Sequence, residues 1–213
     1  MATKGIYTVH HRRKREGRTN YRKRISYIKS KIPRLVVRRF NKNIIAQVVD
    51  FLPIGDKISL TVHSSELKKI GWNYNTGNLP SAYLVGLLLG TKSESKKMIL
   101  DMGLHTPING SRIFAVLKGV IDAGIEVPHS PEKLPSDERI NGSHISKYAA
   151  SLKENKERYD KQFSNYIKNN LDPQKIVEEF ENAKNKILKS SWWPWEEKKI
   201  KEEIIITEDL EKS

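Results

Sequence analysis

Residues 12–24 concentrate the side chains that are best suited to bind phosphate. Seven of the eight cations in this segment are the candidates: Arg12, Arg13, Lys14, Arg15, Arg18, Arg22 and Arg24. An Arg guanidinium can hold a phosphate through two parallel hydrogen bonds, and Lys adds a compact positive charge. Tyr21 lies among these cations, where its ring can stack on a nucleobase or pack on the protein core.

The positive charge of the chain belongs almost entirely to one end. Residues 1–40 hold fourteen Lys and Arg against a single acid, Glu16, so they carry +13 of the formal charge of +14. Such a concentration predicts a polyanionic partner, with nucleic acid ahead of an anionic membrane or an acidic protein. Charge alone does not separate DNA from RNA. A solvated basic tail without a specific partner is the alternative.

Three acids of the central region are candidates for catalysis. Asp50, Asp101 and Asp122 could hold Mg²⁺ for phosphoryl transfer if they converged. The pattern places Asp101 in an apolar strand and Asp122 late on a helix, which favours capping and salt bridges instead. The chain has no Cys, and its six His lack metal-ligand spacing. We therefore predict no catalytic residue, no metal and no cofactor.

Two further segments leave their roles open. Asn75, Thr76 and Asn78 form a polar loop just before a predicted helix, where the backbone could cradle a phosphate or simply connect two elements. Trp192, Trp193 and Trp195 surround a proline. They could anchor in a partner, stack on RNA or pack on the chain's own helices.

The hydrophobic pattern predicts an α/β fold with a small mixed sheet. Strands are expected at 34–40, 44–51 and 57–63, the last with Ile58, Leu60 and Val62 on one face. A short helix, a buried helix through Leu89, a strand at 98–102, a helix ended by Gly124 and a last strand at 125–127 follow. The predicted order is βββ-α-β-α-β, once the short helix is set aside.

Composition shifts divide the chain further. The predicted parts are a partly helical basic arm (1–32), an α/β core (33–130), a Pro-rich linker loop (131–142), C-terminal helices (143–190) and a Trp-containing charged tail (191–213). No apolar run approaches the roughly 20 residues of a membrane span, and the basic N-terminus lacks the apolar stretch of a signal peptide. We expect a soluble, cytoplasmic protein.

Several stretches, taken in order, resemble one family. They are residues 12–21, 33–37, 76–84, 119–130 and 158–163, with sequences RRKREGRTNY, PRLVV, TGNLPSAYL, GVIDAGIEVPHS and RYDKQF. The chain resembles the universal 5S rRNA-binding protein of the large ribosomal subunit, the "L-eighteen" family, in its archaeal form; the eukaryotic counterpart is "L-five". No family pattern covers residues 192–213.

The resemblance implies a ribonuclease-H-like sheet without nuclease activity. It implies binding to 5S rRNA and to large-subunit (23S-type) rRNA in the central protuberance, beside other ribosomal proteins, and no membrane or small-molecule substrate. It assigns RNA contact to the seven arm cations and Tyr21. It extends that contact to the sheet edge and the polar loop: Arg34, Arg38, Lys42, Asn75, Thr76 and Asn78.

The working hypothesis is therefore a structural ribosomal protein that is not an enzyme and acts on the cytoplasmic ribosome. Two alternatives remain open from the residues alone. One is a metal-dependent nuclease on the same fold, and the other is a general basic nucleic-acid-binding module. We also expect an apolar stripe at Tyr21, Ile25, Ile28 and Ile32 to dock the arm against the sheet.

Overall fold

The computed structural model describes residues 9–189. The tryptophan segment at 192–195, and the charged tail with it, lie outside the described residues. The strands are β1 (Arg34–Arg39), β2 (Ile44–Leu52), β3 (Gly55–His63) and β4 (Ile99–Asp101). The α-helices are α1 (Arg12–Arg15), α2 (Tyr21–Lys29), α3 (Leu79–Lys92), α4 (Arg112–Asp122), α5 (Asp137–Ile140), α6 (Ser143–Ser151), α7 (Lys156–Gln162), α8 (Ser164–Lys168) and α9 (Ile176–Lys189). Short 3-10 helices lie at Ser64–Ile70, Pro131–Lys133 and Pro173–Lys175.

The four strands form one mixed sheet in the order β3-β2-β1-β4. The first three make an antiparallel meander, and a two-residue turn at Pro53 and Ile54 connects β2 to β3. Strand β4 runs parallel to β1 after the crossover through α3. The predicted α/β class with a mixed sheet is thus confirmed.

The last predicted strand, at 125–127, is reduced to a single bridge between Lys97 and Glu126. Glu126 accepts from the Met98 backbone at 3.0 Å and donates to the Lys96 carbonyl at 2.9 Å. Three residues between Gly124 and Pro128 leave no room for a longer ladder, because proline has no N–H to donate.

A β-bulge in β3 changes the face of the sheet on which the residues before it lie. Val48 pairs with Leu60 and Val49 pairs with Ile58, so that Ser59 is the extra residue of the bulge. Ile58 consequently lies on the same face as Val49, the outer face of the sheet, and is 53% exposed. The prediction that Ile58 shares the core face with Leu60 and Val62 is wrong for this reason.

The inner face of the sheet packs against α3 and α4, which approach each other almost to backbone contact. A Cβ on Gly86 would lie 2.0 Å from the Val116 carbonyl oxygen, and one on Gly119 would lie 2.3 Å from the Tyr83 oxygen. The two glycines therefore set the spacing of the helices that support the sheet. As predicted, α3 is buried on nearly all sides.

The C-terminal helices contribute to the same hydrophobic core. Ile176, Phe180, Ala183 and Ile187 of α9 belong to the cluster that also holds the inner face of the sheet. Residues 131–142, expected as a linker loop, contain a 3-10 turn and α5, whose Ile140 is buried. Among residues 9–189, none of the helices combines the length and hydropathy needed to cross a membrane.

Candidate nucleic-acid interface

The basic arm consists of two helices with a sharp break between them. Gly17 adopts a left-handed φ of 62°, and the amides of Gly17 and Arg18 bond back to the carbonyls of Lys14 and Arg13. This is the Schellman arrangement that glycine permits at the end of a helix. Asn20 then caps α2, because its side chain accepts from the Lys23 amide at 3.2 Å.

The cations of α1 and the break face solvent. Arg12, Arg13, Lys14, Arg15 and Arg18 are all exposed. Glu16 is the one acid that pairs with them in the described part of the chain, at 3.5 Å from Arg12 and 3.1 Å from Arg18. Exposed pairs of this kind contribute little stability, so these cations are available to an anionic partner. Arg22 on α2 is likewise exposed, whereas Tyr21 is half-buried with its ring 5.1 Å from that of His11.

Arg24 fixes α2 to the sheet. Its guanidinium donates two hydrogen bonds to Asp56 at the start of β3, at 2.7 and 2.9 Å. Arg34 on β1 lies 2.8 Å from Oδ2 of the same carboxylate, the oxygen that also accepts the 2.7 Å hydrogen bond from Arg24. Arg34 in turn donates to Asp101 on β4 at 3.2 Å, and Arg38 lies 3.6 Å from the same carboxylate. We call this chain of five residues the ion-pair network.

The contact between Arg24 and Asp56 shifts the pKa of both groups. Burial alone would raise the pKa of Asp56, but the hydrogen bonds from Arg24 and the close positive charge of Arg34 outweigh burial and lower it. The hydrogen bond to Asp56 raises the pKa of Arg24 against the opposing effect of burial. Both groups are therefore charged at neutral pH, and the contact between arm and sheet is a permanent ion pair there.

One residue of the apolar stripe, Ile25, does not dock the arm as expected. Ile25 is 53% exposed, and Tyr21, Ile28 and Ile32 are only half-buried. Arg24 and Tyr27 lie on the face of α2 that meets the sheet. Burial raises the pKa of the Tyr27 hydroxyl. The prediction that α2 docks is met, but by an ion pair and an aromatic ring rather than by Ile25.

A cleft of about 320 Å³ lies between the arm and the outer face of the sheet. The arm contributes Arg13, Lys23 and Tyr27 to its walls, and the sheet contributes Val49 and Asp101. The cleft is rich in cations because the arm and the sheet both bring Arg to it. It is therefore suited to an anionic group, with the outer face of the sheet as its floor.

The structure gives the predicted sheet cations different surroundings. Arg34 is only 5% exposed and is held by Asp56 and Asp101, so it links the arm to the sheet. Arg38 is half-buried, and its guanidinium donates to the backbone carbonyls of Val37 and Asp101 at 2.9 and 3.0 Å. The Arg24 guanidinium is likewise occupied by its two hydrogen bonds to Asp56. These three side chains position the surface, whereas the α1 cations form it.

Lys42 and the polar loop lie next to each other, beyond the carboxyl end of β1. The Thr76 hydroxyl donates to the Lys42 carbonyl at 2.7 Å, and the Asn75 side chain accepts from the Gly77 amide at 2.7 Å. Asn78 caps α3 by accepting from the Ser81 amide at 2.9 Å. The side-chain oxygens of this loop are thus used inside the protein, while Lys42 is exposed.

Sequence reasoning did not single out Arg39, His105 or Arg112. Arg112 donates to the carbonyls of Phe40 and Gly77 at 3.0 and 2.7 Å, which joins the β1–β2 turn to the polar loop. Burial lowers the pKa of His105, and the positive charges of Arg39, Arg38 and Arg112 lower it further. Arg39 ends β1 and Arg112 begins α4, and the two come together because Arg112 bonds to the carbonyl of Phe40, the residue after β1.

The three central acids do not converge. Asp101 belongs to the ion-pair network, Asp122 accepts from the Tyr83 hydroxyl at 2.8 Å, and Asp50 lies opposite Lys57 in the sheet. Within residues 9–189, no group of three or more His, Cys, Asp or Glu side chains is arranged to hold a metal ion.

A mixed α/β sheet that carries a cationic arm on its outer face defines a basic nucleic-acid-binding protein. Residues 6–98 and 91–130 match the family of ribosomal large subunit proteins 60S L5 and 50S L18. The match covers more than half of the chain, and the chain therefore belongs to this family of RNA-binding ribosomal proteins. The matched residues include the arm, the whole sheet and α4, and they end before α5.

Proposed function

We propose that this ribosomal protein is a structural component that binds 5S rRNA and helps attach it to the large-subunit rRNA in the central protuberance of the cytoplasmic ribosome. Neighbouring large-subunit proteins are the other expected partners. The observation that carries the proposal is the bidentate contact of Arg24 with Asp56. It fixes the direction of a basic arm on a folded domain, as binding to one structured RNA requires.

The arm supplies the affinity by neutralising phosphates. Each phosphate that a cation neutralises releases counterions, so binding weakens as salt rises. If the arm and the sheet edge neutralise about six to eight phosphates, log K against log[salt] falls with a slope of roughly −4 to −7. The α1 cations, together with Arg18 and Arg22, make these contacts, and Tyr21 lies beside them. Lys42, Asn75, Thr76 and Asn78 extend the contact.

The ion-pair network supplies the geometry. An arm that binds only through its charge would hold any polyanion equally well, since phosphate contacts carry no sequence information. An arm with a fixed direction instead matches a particular arrangement of RNA helices, because structured RNA is recognised mainly by its shape. Arg24, Arg34 and Arg38 therefore act by holding the cationic surface in place over the cleft.

The test compares 5S rRNA binding by the full chain with binding by a variant that lacks the α1 cations, R12Q/R13Q/K14Q/R15Q. The matched control removes four exposed lysines from the C-terminal region, K153Q/K156Q/K161Q/K168Q. The arm variant should make the salt slope shallower by about 3, whereas the control should change it little. Equal slopes for the two variants would remove the arm from the proposal.

Competition then separates 5S rRNA binding from general basic binding. Unlabelled duplex DNA in tenfold mass excess should leave most of the 5S rRNA bound if shape is recognised. A general basic module would release it. A nuclease would shorten the RNA in the presence of Mg²⁺, and intact RNA after overnight incubation is the expected result.

A further inference from the structure

We propose that a second RNA site lies at the end of β1, where unpaired nucleotides stack on Phe40 and their phosphates meet Arg39, Lys42 and Arg112. We call these four residues the loop surface. The inference rests on the proposed RNA-binding function and adds to it a surface that the basic arm does not form. The ligand is a single-stranded or looped-out stretch of RNA rather than a duplex.

Hydrogen bonds hold the parts of the loop surface together. Arg112 at the start of α4 donates to the Phe40 carbonyl at 3.0 Å and to the Gly77 carbonyl at 2.7 Å. The Phe40 amide donates to the Asn43 carbonyl at 2.8 Å, which closes the turn that carries Lys42. Three segments distant in sequence therefore form one preorganised surface.

The sheet topology brings a fourth segment to the same place. Because β1 and β4 are parallel neighbours, their carboxyl ends lie at the same edge of the sheet. The loop that follows β4 passes close to Arg38, since a Cβ on Gly103 would lie 3.0 Å from the Arg38 guanidinium carbon. This loop carries His105 and two exposed apolar side chains, Leu104 and Ile108.

The charge of the loop surface is uncompensated. None of the ion pairs within residues 9–189 includes Arg39, Lys42 or Arg112. Burial lowers the pKa of Arg112, and the neighbouring charge of Arg39 lowers it further. Arg24 in the ion-pair network shows the opposite behaviour, because Asp56 compensates it. An anion at the loop surface would relieve the repulsion between Arg39 and Arg112.

The exposed aromatic ring distinguishes the kind of anion. Phe40 is 54% exposed, although an aromatic side chain normally buries most of its area. The ring is carried by a turn whose backbone Arg112 holds, between Arg39 and Lys42 in sequence. An exposed ring on a cationic turn suits a nucleobase with its phosphate, and base–aromatic stacking is tolerant of sequence. A regular duplex keeps its bases stacked inside and would leave the ring unused. The pairing of cations with Phe40 thus favours unpaired nucleotides over duplex RNA.

The experiment measures the full chain against two fluorescent probes, a single-stranded ten-nucleotide oligouridine and a blunt ten-base-pair RNA duplex. Phe40→Ala should weaken binding of the single strand about tenfold and change duplex binding less than about twofold. Phe40→Trp should keep the single-strand affinity because it keeps the ring. Ile54→Ala, at a fully exposed apolar position on the β2–β3 turn, is the matched control and should change neither.

Three outcomes overturn the inference: no loss with Phe40→Ala, an equal loss on both probes, or a loss that Phe40→Trp shares. A ten-residue polyglutamate probe tests whether the loop surface binds an acidic protein instead of RNA. If Phe40→Ala weakens binding of the peptide and leaves binding of the single-stranded RNA unchanged, the loop surface is a protein-binding site. If the chain does not bind 5S rRNA but Phe40→Ala selectively weakens single-strand binding, the proposed function is wrong and the loop surface is supported. If the chain binds 5S rRNA and Phe40→Ala causes no selective loss of single-strand binding, only the loop surface is wrong.

Discussion

Arg24 and Asp56 are 32 residues apart in sequence and are joined by two hydrogen bonds of 2.7 and 2.9 Å. Arg24 belongs to the basic arm, and Asp56 is the second residue of β3, an edge strand of the sheet. Asp56 also holds Arg34 at 2.8 Å, so one carboxylate serves both the arm and the sheet. An acid thereby orients the most basic part of the protein.

Replacing Asp56 with Asn should weaken 5S rRNA binding even though it makes the chain more positive. The variant loses the bidentate ion pair and frees the arm, which must then be ordered at the moment of binding. We expect about a tenfold loss of affinity, measured by filter binding at fixed salt. Glu126→Gln is the matched control, because it makes the same charge change at an exposed acid paired with Lys97. A stronger interaction for both variants would show that only net charge matters.

The same carboxylate makes stability depend on pH. Its pKa is lowered in the folded protein, so its contribution is complete above the unfolded value near 3.9 and is lost as pH falls through the folded value. The difference in unfolding free energy between the wild type and Asp56→Asn should therefore shrink as pH falls below about 4. Urea denaturation at three pH values measures it, and a constant difference would contradict the assigned ion pair.

The sequence predicted the sheet well because its order depends on local features. The alternating hydrophobic residues of 34–63 predicted three successive strands, and the buried helix through Leu89 with the strand at 98–102 predicted an α/β fold with a mixed sheet. The bulge at Ser59 was missed because nothing in a regular alternation marks an extra residue. The last strand was overestimated, since a short apolar run does not reveal whether it finds a partner.

The binding surface was only partly predictable. A run of Arg and Lys is visible in any sequence, so the α1 cations were found at once. The role of Asp56 was not, because nothing in the sequence shows which distant cation its carboxylate meets. Arg39 and Arg112 are isolated in sequence, and the fold alone makes them neighbours of Phe40.

The close approach of α3 and α4 predicts a strong effect at Gly86. A methyl group there would lie 2.0 Å from the Val116 carbonyl oxygen, so Gly86→Ala must push the two helices apart. We expect a loss of about 3 kcal/mol in unfolding free energy by urea denaturation. Gly55→Ala is the control, because a Cβ at Gly55 meets nothing within 4 Å. Equal stabilities of these variants would refute the backbone contact between the helices.

The geometry of α2 reverses the expected importance of two of its residues. Ile25 is half-exposed, so Ile25→Ala should change 5S rRNA affinity less than about twofold. Tyr27 lines the cleft, and burial raises the pKa of its hydroxyl. Tyr27→Ala should therefore loosen α2 and weaken 5S rRNA binding several-fold, although both variants keep the charge of the arm. Fluorescence anisotropy with labelled 5S rRNA measures the two losses side by side. A larger loss for Ile25→Ala would restore the apolar stripe as the contact that docks the arm.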